Sequence, residues 1–331
     1  MKLKNLLILP STYISLLRDV KRQRKFVKEI LEADIADATA DNDGSLDEED
    51  FNKIRGYYGF GVPAIVGEGF CTLRGAKMTQ TERMASTFQG ALTGLYDDFF
   101  DKTGLADNEI KSMMKEPHSY SPASSLEKLF IRFLLNVHEN IHDISQFNQY
   151  FEKVFSAQVL SKKQLDENLT REEIRDISFK KGGYSLLFYR SVFKHELMKG
   201  EAEALFNIGS LMQLGNDTFD VYKDSRAGIK TLPSGCGQID DVRQVFITQL
   251  DHCLGLVGKL NYHRDDIKRY VNKLVLGIAR CFVCFDQLER LQGKTGGTFR
   301  PLAYSRKELI CDMEKPVNII RSLRYFTSYR H

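Results

Sequence analysis

Apolar side chains recur at three- and four-residue intervals along almost the whole of this 331-residue chain, and only 7 prolines interrupt them. That period lines apolar residues along one face of an α-helix. A proline in a helix interior costs about 3 kcal/mol, so its scarcity suits long helices. Between residues 12 and 36, Ile14, Leu17, Val20, Val27, Ile30 and Leu31 fall on such a stripe. The same reading predicts helices over 46–58, 79–101, 124–142, 144–160, 171–191, 200–224, 239–260, 264–290 and 304–328. Breaks are expected at 41–44, 57–69, 117–122, 228–237 and 293–297, and at Gly182-Gly183. Strand-like alternation is scarce, and there is no internal repeat or Pro- or Ser-rich linker. The expectation is an all-α fold of about ten or more helices, one domain over 1–331, with 1–50 as an N-terminal helical segment packed on it.

A net charge of +3, from 47 basic and 44 acidic residues, gives no sign of nucleic-acid binding. Pro10 is expected to end the short apolar stretch Leu6–Leu9. No run approaches the roughly 20 apolar residues of a membrane span, so the chain is read as cytoplasmic and not as an integral membrane protein. Six cysteines follow no disulfide framework. Cys281 and Cys284 stand alone within the apolar run from Leu276 to Phe285 and read as buried thiols. Asp41-Asn42-Asp43-Gly44-Ser45 imitates a calcium loop. With Gly44 in the sixth position, however, Thr39 comes first and Asp50 last, where the loop needs Asp and a bidentate Glu. Ser45 and Glu48 are expected instead to form a capping box.

Two acidic segments carry the chemistry. Asp97, Asp98 and Asp101 end a long apolar helix, with Asp97 and Asp101 about 40° apart on one face. These like charges sit at the negative end of the helix dipole, an arrangement that a divalent cation relieves. Farther along, Asn216, Asp220 and Asp224 stand at i, i+4 and i+8, a stripe about 12 Å long on one helix. Lys223 and Arg226 flank its last acid.

Together these segments resemble the class I isoprenoid (terpenoid) synthase superfamily. Its members carry a DDxxD motif and, on a facing helix, a second DDxxD or a motif of the form N-D-x-x-S-x-x-K-E. Asp97-Asp98-x-x-Asp101 matches the first. Asn216-Asp217-x-x-Asp220-x-x-Lys223-Asp224 matches the second, with Asp220 for the usual Ser or Thr and Asp224 for Glu. Tyr57-Tyr58-Gly-x-Gly-Val-Pro63 and Lys181-Gly-Gly-Tyr-Ser185 bring the resemblance nearest to a bacterial group described as class 1 isoprenoid biosynthesis enzymes. It covers roughly residues 55–235.

The resemblance implies an all-α bundle around a central cavity and a prenyl diphosphate substrate. It also implies three Mg2+ ions held by Asp97, Asp98, Asp101, Asn216, Asp220 and Asp224. Arg175, Lys181 and Lys223 would be the catalytic cations. With Arg226, Arg324 and Tyr325 they would bind diphosphate, and a helix break at Gly182-Gly183 would expose carbonyls to a nascent cation. Phe70, Phe88, Phe179, Tyr184 and Phe219 are the aromatic faces proposed to line the cavity, and 228–237 is the expected lid. Lys102 and Thr103 follow the first motif where chain-elongating enzymes carry arginines. The leading expectation is therefore a terpene synthase that cyclises or eliminates. A prenyltransferase (elongating or head-to-head) and a non-catalytic prenyl-diphosphate binder are the alternatives, and a homodimer is left open.

Overall fold

A computed structural model describes residues 3–102 and 104–329, with only the backbone described at Leu3, Lys4 and Asp101. The fold is all-α, and the described residues contain no strand. No helix among them is long and apolar enough to cross a membrane. Contacts divide the chain into two compact units. One, here the N-terminal unit, holds Tyr13–Phe151 and Phe188–Glu196. The other, the C-terminal unit, holds the residues up to Thr12, Glu152–Leu187 and those from Leu197 onward.

In the N-terminal unit the helix Gln80–Asp101 is central. It starts at a capping box, in which the Thr79 hydroxyl accepts from the Glu82 N–H and the Glu82 carboxylate from the Thr79 N–H. Its apolar face is closed by Phe88 tilted on Phe133 and by Phe99 edge-on to Phe130, both from the helix Ser125–Asn140. That second helix is capped from a distance. Asp43 accepts from the Ser125 N–H at 3.0 Å and Ser45 from the Leu126 N–H at 3.0 Å. The calcium-like loop is thus a helix cap made across the fold. The capping box expected from Ser45 and Glu48 lies two residues later, between Asp47 and Asp50.

The expected break at 57–69 is helical instead. The chain runs from Glu48 to Leu73 through two π-helical turns, Lys53–Tyr58 and Val62–Gly67. A π-turn inserts a residue into the helical ladder and re-aims the side chains beyond it. Of the glycines that suggested a loop, Gly59 and Gly67 serve close packing, and so do Gly90 and Gly94 in the helix Gln80–Asp101. A Cβ on Gly90 would collide with the Tyr58 carbonyl, and one on Gly94 would meet the Tyr58 ring at 3.1 Å. Pro10 likewise ends nothing, because the helix Leu3–Ile30 runs through it, and the nearby Ile8 carbonyl accepts from Ser11 and Thr12 hydroxyls.

The C-terminal unit is built from long helices, Glu201–Phe219, Ile239–Gly258 and Arg264–Lys294, with Phe246 wedged edge-on against Phe282 and Phe285. Gly182-Gly183 does not break the helix Arg171–Arg190. Any side chain at Gly182 would strike the Gly209 backbone, and one at Gly183 the Phe206 ring. The doublet is where two helices cross. The helix expected over 304–328 is two pieces, Arg306–Leu309 and Pro316–Ser328, because Pro316 is suited to a first turn and not to a helix interior.

The π-turn packing yields a prediction. Gly90→Ala should destabilise the protein by about 1–3 kcal/mol through overpacking, although alanine is the better helix former. Gly61→Ala, where a Cβ meets nothing within 4 Å, should be neutral or stabilising by up to about 1 kcal/mol. Urea unfolding of both variants checks this, and equal stabilities would contradict it.

Candidate functional site

The first acidic cluster is set by the end of the helix Gln80–Asp101. Asp97 accepts from the Tyr58 hydroxyl at 3.2 Å. Burial, then the Asp97 charge, push the Tyr58 phenol well above the ordinary tyrosine range, so it stays protonated and able to donate. Asp98 turns elsewhere. It is only 3% exposed and faces Lys53 at 3.3 Å and Lys102 at 3.5 Å. Burial raises its pKa, reinforced by a hydrogen bond with Asp50, against the pull of the two lysines. Burial also works against the charge of Asp50, yet hydrogen bonds from Asp98, from Lys102 at 2.7 Å and from the Asp47 N–H at 2.9 Å hold that carboxyl ionised. Asp98 and Asp50 thus lie together between two lysines, and Asp98 is the one of the pair that holds its proton longer as pH rises. The Asp101 side chain, a predicted ligand, lies outside the described residues.

The second cluster sits on a kink. The expected single helix over 200–224 is interrupted at Asp220, between Glu201–Phe219 and Val221–Ala227. The backbone bonds Asp220 N–H to Asn216 and Asp224 N–H to Asp220 persist, both at 2.9 Å, so the stripe bends without being lost. Asp217, quoted in the motif but given no role, proves the most enclosed acid of this segment. It accepts from Ser178 at 2.9 Å and from Gln213 at 2.7 Å. Burial nevertheless lifts its pKa to about 6. Burial, then the charges of Asp217 and Asp220, push Asp224 up to about 7 against a hydrogen bond from Thr231 and the charge of Lys223. Asp220 is raised by burial as well, and is moderated by Lys223, by Asn216 donating at 3.1 Å and by Lys181.

Of the predicted cations, Lys181 acts on Asp217 and Asp220, and Lys223 on Asp220 and Asp224. Arg175 is exposed, six residues before Lys181 on the same helix, and Arg226 is exposed over the Tyr222 ring. Arg324 is exposed. Tyr325 stacks on Phe282 and donates to Asp286 at 2.6 Å, a carboxylate that also receives Arg243 and Arg321. Among the proposed cavity residues, Phe70 and Phe88 are enclosed, edge-on to Phe193 and tilted on Phe133 respectively. Half-buried Tyr184 packs on Phe206 beneath Lys153, and half-buried Phe219 lies beneath Arg280. Phe179, also half-buried, contributes its carbonyl to Ser210. The expected lid is pinned. Gly228 ends its helix in the left-handed region, Lys230 and Gln164 exchange two hydrogen bonds, and Leu232 is buried.

Among the described residues, no three acidic, histidine or cysteine side chains converge into a ready metal cage. Magnesium does not need one, since it is bound by one or two carboxylates and completed by water and phosphate oxygens. Asp220 and Asp224, with the Asn216 amide oxygen, fit that donor set, and in the N-terminal unit Asp97 does. Cys281 and Cys284 are buried thiols, as read from sequence. Compared with protein-family models, curated proteins and solved structures, the chain matches none.

The raised acids predict a pH dependence. Above pH 3.8 an unfolded chain has begun to release these protons, while the folded chain keeps those of Asp217 up to about pH 6 and of Asp224 up to about pH 7. Their contribution to stability is therefore greatest at low pH and declines as pH rises through that window. In metal-free buffer, Asp224→Asn should flatten the decline by on the order of 2 kcal/mol. Urea midpoints measured across the window test this, and an unchanged slope would contradict it.

Proposed function

We propose that the chain is a Mg2+-dependent class I isoprenoid synthase that releases diphosphate from a prenyl diphosphate and cyclises the resulting allylic cation or eliminates a proton from it. The observation that carries this reading is the kinked Asn216–Asp224 stripe. Three carboxylates, two with pKa values lifted to about 6 and 7, are crowded together with Lys181 and Lys223 acting on them. Such a cluster is unfavourable on its own and becomes favourable when cations arrive. Bound Mg2+ would supply the charge that makes diphosphate a leaving group.

The chain's own residues then divide the work. Asn216, Asp220 and Asp224 would present oxygen ligands along the kinked stripe of the C-terminal unit, and Asp97 would offer a carboxylate at its own helix end in the N-terminal unit. Ser178 and Gln213 fix Asp217, which steers the cluster without needing to touch the ligand. Lys181 and Lys223 offer ammonium groups to diphosphate oxygens, with Arg175 and Arg226 as exposed reserves. Tyr58 orients Asp97 through its hydroxyl. Half-buried Phe179, Tyr184 and Phe219 are the aromatic faces left for a cation to meet, since Phe70 and Phe88 are enclosed in packing.

A second reading has one observation in its favour. Asp98 is committed to Lys53, Lys102 and Asp50, which suits a protein that binds prenyl diphosphates without turning them over. Incubation with Mg2+ and prenyl diphosphates of ten to twenty-five carbons, followed by mass analysis and a diphosphate assay, separates the two. We expect hydrocarbon or alcohol products, with diphosphate release abolished by chelator and restored by Mg2+. Asp224→Ala and Asp97→Ala should each lower turnover by at least about a hundredfold, and Tyr58→Phe by about tenfold. Exposed Glu139→Ala should change nothing. Binding without release would favour the second reading, and longer prenyl diphosphates formed with isopentenyl diphosphate would favour a prenyltransferase.

A further inference from the structure

The outer face of the helix Leu3–Ile30 is unlike any face that a water-exposed helix needs. Its inner side is fixed by polar anchors. The Asn5 amide donates to the Tyr329 carbonyl at 2.7 Å, and Gln23 donates to Thr87 at 2.8 Å and to the Gly59 carbonyl. At about 100° per residue, the opposite arc carries Leu6, Leu7, Tyr13, Ile14 and Leu17 over its first turns. All five are exposed, Leu7 by 73% and Ile14 by 51%. From Arg18 onward the same side turns cationic, with Arg18, Lys21, Arg24, Lys25 and Lys28 all exposed. Lys25 reaches Glu29 at 3.5 Å and Arg24 lies over the Phe60 ring. The only acid between residues 6 and 28 is Asp19, and it is on the buried side.

We propose that this helix face docks the protein on an anionic lipid bilayer, with the Leu6–Leu17 portion entering the headgroup boundary and the Arg18–Lys28 portion resting on lipid phosphates. Each portion spans about 15–18 Å at 1.5 Å per residue, and the two follow one another along a single continuous helix. Apolar and cationic groups in sequence along one exposed face are what an anionic interface takes up. A nucleic acid would use the cations and leave the leucines in water. A second copy packed antiparallel through Leu6–Leu17 would leave the cations of Arg18–Lys28 without a partner. The helix does not span the bilayer, since no described helix is long and apolar enough to do so. None of these side chains takes part in the proposed catalysis.

The test is flotation of the full chain with vesicles of phosphatidylcholine alone and of phosphatidylcholine containing a quarter phosphatidylserine. We expect binding to the anionic vesicles only, weakened by added salt. Leu7→Gln/Ile14→Gln/Leu17→Gln should abolish it. Lys21→Glu/Arg24→Glu/Lys28→Glu should weaken it by at least about a hundredfold. All six positions are exposed, and circular dichroism verifies that both variants keep their helices. Three results would overturn the proposal: no binding to anionic vesicles, equal binding to neutral ones, or binding unchanged by either triple variant. So would a dimer that does not float and that the apolar variant dissociates, which would make the face an interface between copies.

Discussion

A carboxylate taken out of water must find a cation, a proton or enough hydrogen-bond donors to replace its hydration. Both acidic segments of this chain sit where water has largely been removed, and each solves the problem differently. In the N-terminal unit the solution is internal, because Lys53 and Lys102 both reach Asp98 and Asp50. In the C-terminal unit it is incomplete. Ser178, Gln213, Thr231 and two lysines do not offset the burial of Asp217, Asp220 and Asp224, and protons make up the difference. A site that holds protons near neutral pH is one that a divalent ion can enter by displacing them.

The surroundings of that cluster follow from the same need. The kink at Asp220 turns the stripe of Asn216, Asp220 and Asp224 while its backbone bonds survive. The crossing of Gly182 on Gly209 brings the helix bearing Ser178 and Lys181 close enough for both side chains to act on Asp217. Thr231 reaches Asp224 from a segment pinned through Gln164 and Lys230. What a first glance at the glycines suggests is flexibility, and what they provide is proximity.

Much of the fold is legible in the sequence, because period and caps are local properties. The helices Gln80–Asp101, Ser125–Asn140, Ile144–Ser161, Arg171–Arg190, Ile239–Gly258 and Arg264–Lys294 fall within a few residues of their apolar stripes. The failures share one cause. Gly and Pro look like local punctuation, but at Gly59, Gly90 and Gly182 the neighbour that demands glycine is far away in sequence or made by the fold itself. The site divides in the same way. The acids and Lys181 and Lys223 stand in motifs that can be read. Their partners Tyr58, Ser178, Gln213, Thr231, Asp50 and Lys53 are supplied by packing. Tyr58 alone had a signal, as a member of the Tyr57–Pro63 motif.

The claim on which the account depends is that buried, proton-holding carboxylates form a magnesium–diphosphate site. Calorimetric titration with Mg2+ and inorganic diphosphate near pH 6.5, repeated in two buffers of different ionisation enthalpy, reads both binding and proton exchange. The account predicts binding that requires both components and releases about one proton from the protein, with the release lost in Asp224→Asn. Binding with no release of protons from the protein, or no binding at all, would contradict it.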